Sequence, residues 1–248
     1  MSTEKTDALV IRQADFSESS RVLTLFTRDF GKVSCLAKGA KRLRSSFEVS
    51  LDLLTEVRIV YIPRSSGSLN LLTEAQLIKR FEPFGRSLTP LYSGYYVAEL
   101  LNALSEEGDP HPELYDAACS TLRRLETDGS PLLSVSWFEL AILREIGQLP
   151  DLDSCTICHS PVSFENRGRF WVSQSGLICS KCGRSEYEAS ELHPGSLAIL
   201  RTLLDREGDS PLRVQLDETQ RKEIRRVLVS AVSHVLGRRP KTLSMLQL

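Results

Sequence analysis

The first third of the chain alternates between apolar and polar residues in short runs. Five of these runs are rich in Val, Ile, Leu, Phe and Thr, and turn-forming stretches such as RDFG and PRSSGS separate them. So many short strands close together favour a five-stranded barrel of the OB type, although an SH3-like barrel would give much the same pattern. The last run could also form a helix. The predicted strands are 8–16, 20–27, 31–40, 55–63 and 68–78.

From Pro83 onward the apolar residues recur with a period of about 3.6, which predicts α-helices. The stretch 132–146 is apolar almost all round, as expected for a helix at the centre of a bundle. Asp217, with Gln220 three residues later, resembles a capping box that begins the last helix. The other predicted helices lie within 91–104, 114–125 and 196–206.

These patterns predict a multidomain protein. Residues 1–80 form the OB-fold β-barrel, and residues 81–150 and 185–248 form an α-helical domain. A cysteine-containing module, 151–184, is inserted between the two parts of the helical domain.

The chain has 248 residues and a net charge of −1, so its overall charge does not point to a nucleic-acid partner. Its N-terminus lacks a signal-type apolar run, and no segment approaches the ~20 apolar residues of a membrane span. We therefore expect a cytoplasmic protein with no membrane partner. In that reducing compartment six cysteines are expected to be thiols or metal ligands rather than disulfides.

Four cysteines follow the pattern C-x2-C, twenty residues, C-x2-C, which is typical of a structural zinc site. Two intervening residues let a tight turn aim both sulfurs at one point, and four thiolates close a tetrahedral shell around one Zn²⁺. His159 could replace one sulfur, and four cysteines without a metal are the alternative. Cys35 and Cys119 are isolated and expected to be buried. The predicted ligands are Cys155, Cys158, Cys179 and Cys182.

Basic residues are concentrated at the end of the third predicted strand. Lys38, Lys41, Arg42 and Arg44 surround Gly39 and could face phosphates, which would bind DNA without reading its sequence. A solvated basic loop is the alternative.

Two further groups of cations lie on predicted helices. Arg221, Lys222, Arg225 and Arg226 form one stripe, which is interpreted as a solvated helix face. Arg123 and Arg124 lie in an acidic region and could hold an acidic C-terminal peptide, with a salt-bridged surface pair as the alternative.

The sequence contains no recognisable catalytic constellation. It has no Walker loop, no G-x-S-x-G and no H-E-x-x-H, and the zinc deaminase signature, H-x-E followed by P-C-x-x-C, is absent. A closed four-thiolate shell also leaves no coordination position for the substrate of a metallohydrolase. We therefore interpret the chain as a binding protein rather than an enzyme.

Five barrel aromatics could stack bases, but no stacking role is assigned to them: Phe16, Phe26, Phe30, Phe47 and Tyr61.

The whole pattern resembles the RecO family of bacterial DNA repair proteins. The resemblance covers most of the chain and includes the segments 8–12 and 18–27, Tyr95–Leu101, the Trp137–Leu140 helix and the first cysteine pair. The block from Phe26-Thr27 to Gly39-Ala40 is its most specific part.

This resemblance implies an OB fold, a helical domain and an inserted zinc module. It also implies a nucleoid-associated mediator of the RecF pathway that binds single- and double-stranded DNA and anneals complementary strands. Such a mediator works with RecR to help RecA, an indirect partner, load onto DNA coated with the single-strand-binding protein SSB. The acidic C-terminal tail of SSB is expected to contact the helical domain, where Arg123 and Arg124 are candidates that no motif matches residue by residue.

By position, the resemblance makes Lys38, Lys41, Arg42 and Arg44 the first candidates for DNA phosphates. Arg12, Arg21 and Lys32 on the same barrel are weaker candidates. The alternative function is a zinc-ribbon transcription or RNA-associated factor, in which basic residues near the cysteines would contact nucleic acid. Those residues are Arg167, Arg169, Lys181 and Arg184.

Overall fold

The computed structural model separates into two compact units, 1–128 and 129–248. It describes residues 2–42, 45, 47, 51–64, 68–83, 85, 87–127, 129–162, 168–171, 174–184, 189–205, 214–246 and 248. These units are defined by contacts, so the finer division into barrel, helical domain and inserted zinc module stays a prediction. Among the described residues, no helix is both long enough and apolar enough to cross a membrane.

The first unit contains a closed five-stranded barrel, which confirms the predicted fold class. Its strands pair in the order β1-β2-β3-β5-β4, with β1 returning to β4 and with β3 and β5 parallel. The fifth predicted run is a strand and not a helix. The strands are β1 (Glu4–Asp15), β2 (Arg21–Thr27), β3 (Gly31–Ala37), β4 (Glu56–Ile62) and β5 (Asn70–Lys79).

The alternating pattern explains how the barrel closes around its core. In β3 every second residue is buried, because successive side chains of a strand point to opposite faces. Val10, Leu25 and Val33 are paired across β1, β2 and β3 and all belong to the core inside the barrel. Of the five barrel aromatics, Phe47 and Tyr61 belong to this core and Phe30 packs against it, whereas Phe26 is buried outside it and Phe16 is 62% exposed.

The outside of the barrel packs against two helices, α1 (Thr89–Leu104) and α2 (Pro112–Leu125). Leu9 and Phe26 are paired across β1 and β2, lie outside the barrel core, and are fully buried. Next to them, Lys32 donates hydrogen bonds to the carbonyls of Asn102 (2.8 Å) and Ser105 (2.5 Å) at the end of α1. Carbonyls at a helix C-terminus lack partners within the helix and attract cations. The Lys32 ammonium therefore fastens α1 to the barrel.

The described residues of the second unit form three α-helices and a small sheet. Its helices are α3 (Pro131–Glu145), α4 (Pro194–Leu204) and α5 (Glu218–Leu236), followed by a short 3₁₀ helix, Lys241–Ser244. Its strands are β6 (Gly168–Trp171), β7 (Gly176–Ile178) and β8 (Ala189–Leu192), with β6 in the centre of the sheet. The predicted capping box is confirmed, because the Asp217 side chain accepts from the Gln220 backbone while the Gln220 side chain accepts from Asp217.

A buried ion pair joins two helices of this unit. The Glu139 side chain on α3 is fully buried, and Oε2 accepts a hydrogen bond of 2.6 Å from Arg225 Nη1 on α5. The Arg225 side chain is only 12% exposed, so this member of the basic stripe points into the protein. Arg226 donates to the Glu191 carbonyl at 2.6 Å, and Lys222 pairs with Glu218 on the surface. Interpreting the stripe as a wholly solvated helix face was therefore wrong.

A second buried carboxylate caps helix α4. Glu223 accepts hydrogen bonds from the His193 backbone (2.9 Å), the His193 ring and the Ser196 hydroxyl (2.6 Å). A carboxylate at a helix N-terminus is stabilised by the free N–H groups there. Burial opposes ionisation, but these hydrogen bonds hold the pKa of Glu223 below its ordinary value.

Candidate metal centre and nucleic-acid interface

The four cysteines of the second unit converge on one point. Their sulfurs all lie within 4.8 Å of one another, and Cys158 Sγ and Cys179 Sγ are 3.8 Å apart. Sulfurs bound at ~2.3 Å to one tetrahedral zinc ion would be about 3.8 Å apart, so the spacing fits such an ion. The cluster therefore has the composition and the geometry of a metal site.

Tight turns aim both cysteine pairs. The His159 amide donates to the Cys155 carbonyl at 2.8 Å, and His159 adopts a left-handed conformation with φ of 56°. In the second pair, the amides of Cys182 and Gly183 both donate to the Cys179 carbonyl. Each turn thus brings two sulfurs to the same side of its loop.

The electrostatics of the cluster also fit a cation. Hydrogen bonds from the Ser160 side chain and backbone lower the pKa of the Cys158 thiol to about 6. The neighbouring sulfurs of Cys158 and Cys179 raise the pKa of Cys182 to about 12, because a further thiolate would add negative charge beside the first. A divalent cation would offset this repulsion and favour the thiolate form of all four cysteines.

The cluster is continuous with the hydrophobic core of its unit. Cys155 is fully buried and belongs to the same core cluster as Phe170 and Leu177. Arg201 on α4 donates to the carbonyls of Leu152 (2.5 Å) and Val162 (3.3 Å), which flank the first cysteine pair. A metal held there would link both cysteine loops to the helices. Cys35 and Cys119 are buried as expected, and burial raises the pKa of each to about 12.

On the barrel, an acidic residue organises the basic candidates. Asp15, the last residue of β1, accepts hydrogen bonds from Lys41 Nζ at 2.9 Å and from Arg21 Nε at 3.4 Å. The Lys41 contact, followed by that of Arg21, lowers the pKa of the Asp15 carboxyl. Asp15 therefore holds cations from two different chain segments beside each other.

Backbone hydrogen bonds join the two chain segments that carry these cations. The turn between β1 and β2 closes with a 3.0 Å hydrogen bond from the Phe16 amide to the Ser20 carbonyl. The Lys41 amide donates to the Ser19 carbonyl at 3.1 Å, which ties this turn to the loop after β3. We call the surface formed by Arg21, Lys38, Lys41 and Arg42 the basic rim; Lys38 and Arg42 are exposed.

Gly39 shapes the basic rim. It has a φ of +74°, a conformation that glycine adopts at little cost. The Arg42 side chain lies over it, with Cδ and Nε both 3.5 Å from the position that a β-carbon would occupy. Lys38 and Arg42 follow the end of β3, where Ala37 pairs with Arg21, so both residues lie at the same end of the barrel as the β1–β2 turn.

The other predicted site residues lie in different surroundings. Arg12 is exposed on β1 opposite Thr24, whereas the Lys32 ammonium is engaged by the carbonyls at the end of α1. Arg44 lies outside the described residues.

Arg123 is exposed on α2 and donates to Ser120 Oγ at 2.8 Å. It lines a pocket of about 20 Å³ together with Leu9, Phe81 and Leu122. Arg124 beside it is half-buried.

The family model "Recombination protein O N terminal" matches residues 1–81, and "Recombination protein O C terminal" matches residues 86–244. This chain belongs to the RecO family of DNA repair proteins.

The chain is also similar in sequence to curated RecO proteins over most of its length. The chain is 36% identical over 211 residues to the DNA repair protein RecO of Rhodopirellula baltica, covering 85% of this chain and 78% of the relative. It is 31% identical over 239 residues to that of Anaeromyxobacter dehalogenans, covering 96% and 94% of the two chains. It is 28% identical over 247 residues to that of Syntrophus aciditrophicus, covering 98% and 95%. Membership of the RecO family replaces the alternative of a zinc-ribbon transcription or RNA-associated factor.

Sequence reasoning missed two features of this RecO-family barrel. Asp15 was overlooked because a carboxylate does not signal a phosphate site, although its separation from Arg21 across a short turn could have indicated the pair. The internal role of Lys32 had no signal in the sequence, since its acceptors lie 70 and 73 residues away.

Proposed function

We propose that this RecO-family chain is a non-enzymatic recombination mediator. It binds single- and double-stranded DNA, anneals complementary strands, and with RecR helps RecA load onto SSB-coated single strands. The observation that carries the proposal is the basic rim, where Asp15 holds Arg21 of β2 beside Lys41 of the loop after β3 at one end of an OB-type barrel.

The chemistry of the basic rim suits phosphate binding. Lysine and arginine neutralise phosphates without reading the bases, and the affinity gained in this way falls steeply as salt rises. Because Asp15 holds the Arg21 and Lys41 side chains before DNA arrives, these two lose little side-chain freedom on binding. Neutralised strands repel each other less, which allows complementary bases to meet and pair.

Lys32 belongs to the packing of the unit rather than to this surface, because phosphate binding would require it to leave the end of α1. Arg12 extends the proposed DNA surface along the outside of β1, and Arg44 stays a proposed phosphate contact by its place in the sequence.

The test is the salt dependence of DNA binding by a variant with Lys38, Lys41 and Arg42 replaced by alanine. Loss of three phosphate contacts should flatten the slope of log affinity against log salt by up to about 2 for single strands and about 3 for duplex. A control variant with Arg221, Lys222 and Arg239 replaced by alanine loses the same charge from exposed positions of the second unit. An equal change in both variants, or no change in the first, would remove the basic rim from the DNA site.

The mediator activity needs a separate assay. The protein should accelerate annealing of complementary strands coated with SSB, without ATP, and the basic-rim variant should lose that acceleration. Failure of the wild-type protein to anneal such strands would refute the mediator role while leaving DNA binding intact.

For the SSB tail, we propose Arg123 as a contact and Arg124 as its neighbour. Apolar side chains such as Phe81 and Leu122 line the pocket beside Arg123 and suit a hydrophobic side chain, while the guanidinium suits a carboxylate. Glu56, Lys79 and Glu126 also line the pocket, and Lys79 is paired with Glu126. Its volume of about 20 Å³ holds only about one water, so the pocket must widen when a side chain enters. Arg123→Ala should weaken binding of an SSB-tail peptide measured by fluorescence anisotropy, whereas unchanged binding would place the tail elsewhere.

We also propose that the metal is one structural Zn²⁺ held by Cys155, Cys158, Cys179 and Cys182. When bound, zinc would supply a closed cross-link rather than a reactive centre. The four sulfurs join two loops that are distant in sequence, and buried Cys155 connects them to the core of the second unit. The proposed role is therefore stability of this unit.

A further inference from the structure

The β1–β2 turn presents an aromatic ring beside the basic rim. Phe16 is 62% exposed, and among the described residues it is the only aromatic side chain in the exposed class. Exposing a phenylalanine ring to water is unfavourable, and such residues are usually buried. Its position next to Asp15, which holds Arg21 and Lys41, places the ring at the border of the proposed phosphate-binding surface.

The turn that carries Phe16 is held by many hydrogen bonds. The amides of Phe16 and Ser17 both donate to the Ser20 carbonyl, at 3.0 and 3.3 Å. The Ser17 hydroxyl accepts from the amides of Ser19 and Ser20, and the Ser19 carbonyl accepts from Lys41. None of these bonds uses the Phe16 side chain, so the ring is not needed to form the turn.

An exposed ring on a fixed turn beside cations has the features of a base-stacking site. In proteins that bind single strands, cations follow the phosphates while aromatic side chains stack on the bases, whatever their sequence. In duplex DNA the faces of the bases are covered by their neighbours, so the same ring has no free face to contact. On the basis of the proposed function, we infer that Phe16 stacks on an unpaired base of single-stranded DNA whose phosphates lie on the basic rim.

The inference assigns the barrel a preference between DNA forms. Phosphate contacts act on single strands and duplexes alike, whereas the ring contributes only where a base is unpaired. One base of the bound strand would stack on the ring instead of on its neighbouring bases, so the position of Phe16 would define where the single strand is bound.

The test compares Phe16→Ala with the wild-type protein on three DNAs of equal length: a single strand, a duplex, and a strand of abasic sites that keeps the phosphates but lacks bases. Removal of the ring should weaken single-strand binding by about 5- to 150-fold, the range for loss of one stacked base. Binding of the duplex and of the abasic strand should change less than about twofold. Ile78→Ala, which truncates an exposed apolar residue on β5, is the control and should not change binding.

A spectroscopic measurement reports the stacking itself. Single strands that carry the fluorescent base 2-aminopurine should change their fluorescence when the wild-type protein binds, and Phe16→Ala should lose this change at saturating protein. Phe16→Trp keeps a π-face and should preserve single-strand affinity, whereas Phe16→Leu keeps only the apolar character and should not.

Three results would overturn the inference. Phe16→Ala could bind single strands as the wild-type protein does, it could weaken all three DNAs equally, or Phe16→Leu could restore full binding. In each case the basic rim would still show its salt-dependent binding, and the proposed function would stand. If the wild-type protein bound none of the DNAs, the proposed function would fall and the stacking site with it.

Discussion

The buried ion pair between Glu139 and Arg225 yields a quantitative prediction about the second unit. Glu139 is 0% exposed and Arg225 12% exposed, so replacement of either residue leaves a charge in the core without its partner. Breaking a buried pair in this way typically costs about 3–5 kcal/mol. We expect Glu139→Leu and Arg225→Leu to lower the free energy of unfolding by amounts in this range.

We expect the opposite for the double variant, in which Glu139→Leu and Arg225→Leu are combined. When both charges are replaced by leucine, no uncompensated charge remains, and exchanges of this kind are often neutral or stabilising by about 1–4 kcal/mol. The double variant should therefore be far more stable than either single one. A matched control on the same helix is the pair of Lys222 and Glu218, 3.2 Å apart and about three-quarters exposed, which should contribute no more than about 0.5 kcal/mol.

The assay is urea unfolding followed by tryptophan fluorescence. The chain has two tryptophans, Trp137 and Trp171, and both lie in the second unit, so the signal reports this unit separately from the barrel. If each single variant cost less than about 1 kcal/mol, the pair would not be buried as described. If the double variant lost as much as both singles together, leucine packing rather than charge would set the cost.

Three further predictions concern other parts of the molecule. Purified protein should contain about one zinc ion per chain by metal analysis. Cys155→Ser should reduce this zinc content and lower the urea midpoint of the tryptophan signal, because it removes the buried ligand. Full zinc content in the variant would contradict the four-sulfur assignment. Gly31→Ala should lower the thermal midpoint of the first unit by far more than Gly108→Ala. Both glycines have a positive φ, but a β-carbon at Gly31 would lie 2.1 Å from the Asp109 carbonyl oxygen, whereas a β-carbon at Gly108 would have nothing within 4 Å. The lowered pKa of Glu223 means that its stabilising contribution is present above the ordinary value of 4.5 and is lost as the pH falls through the lower folded value. Ser196→Ala should reduce this loss in acid unfolding curves, and an unchanged curve would show that the hydroxyl does not set the pKa.

The sequence predicted best those features that depend on local order. Alternation in the runs around Val33 and Ile59 located the strands, and the Asp217–Gln220 spacing located the start of α5. The four cysteines were recognisable because two residues between each pair is a requirement of the turn that aims them.

Features that depend on packing between distant segments were not accessible in this way. Arg225 looked like part of a solvated stripe because nothing near it in sequence shows that Glu139, 86 residues away, faces it in the core. Nothing near Lys32 in the sequence indicated that its ammonium donates to two carbonyls at the end of α1. The sequence shows that a residue is charged, but only the fold shows whether its side chain points to solvent or into the protein.

The two buried residues on the outside of the barrel, Leu9 and Phe26, determine how the protein can be divided into fragments. A fragment that ended at residue 81, where the first family match ends, would lack α1 and α2 and would expose both side chains to water. It would also leave Lys32 without the two carbonyls that bind it. Such a fragment would present an apolar patch prone to self-association. A fragment of residues 1–128 keeps these contacts, and it is the unit in which the proposed DNA binding by the barrel can be tested alone.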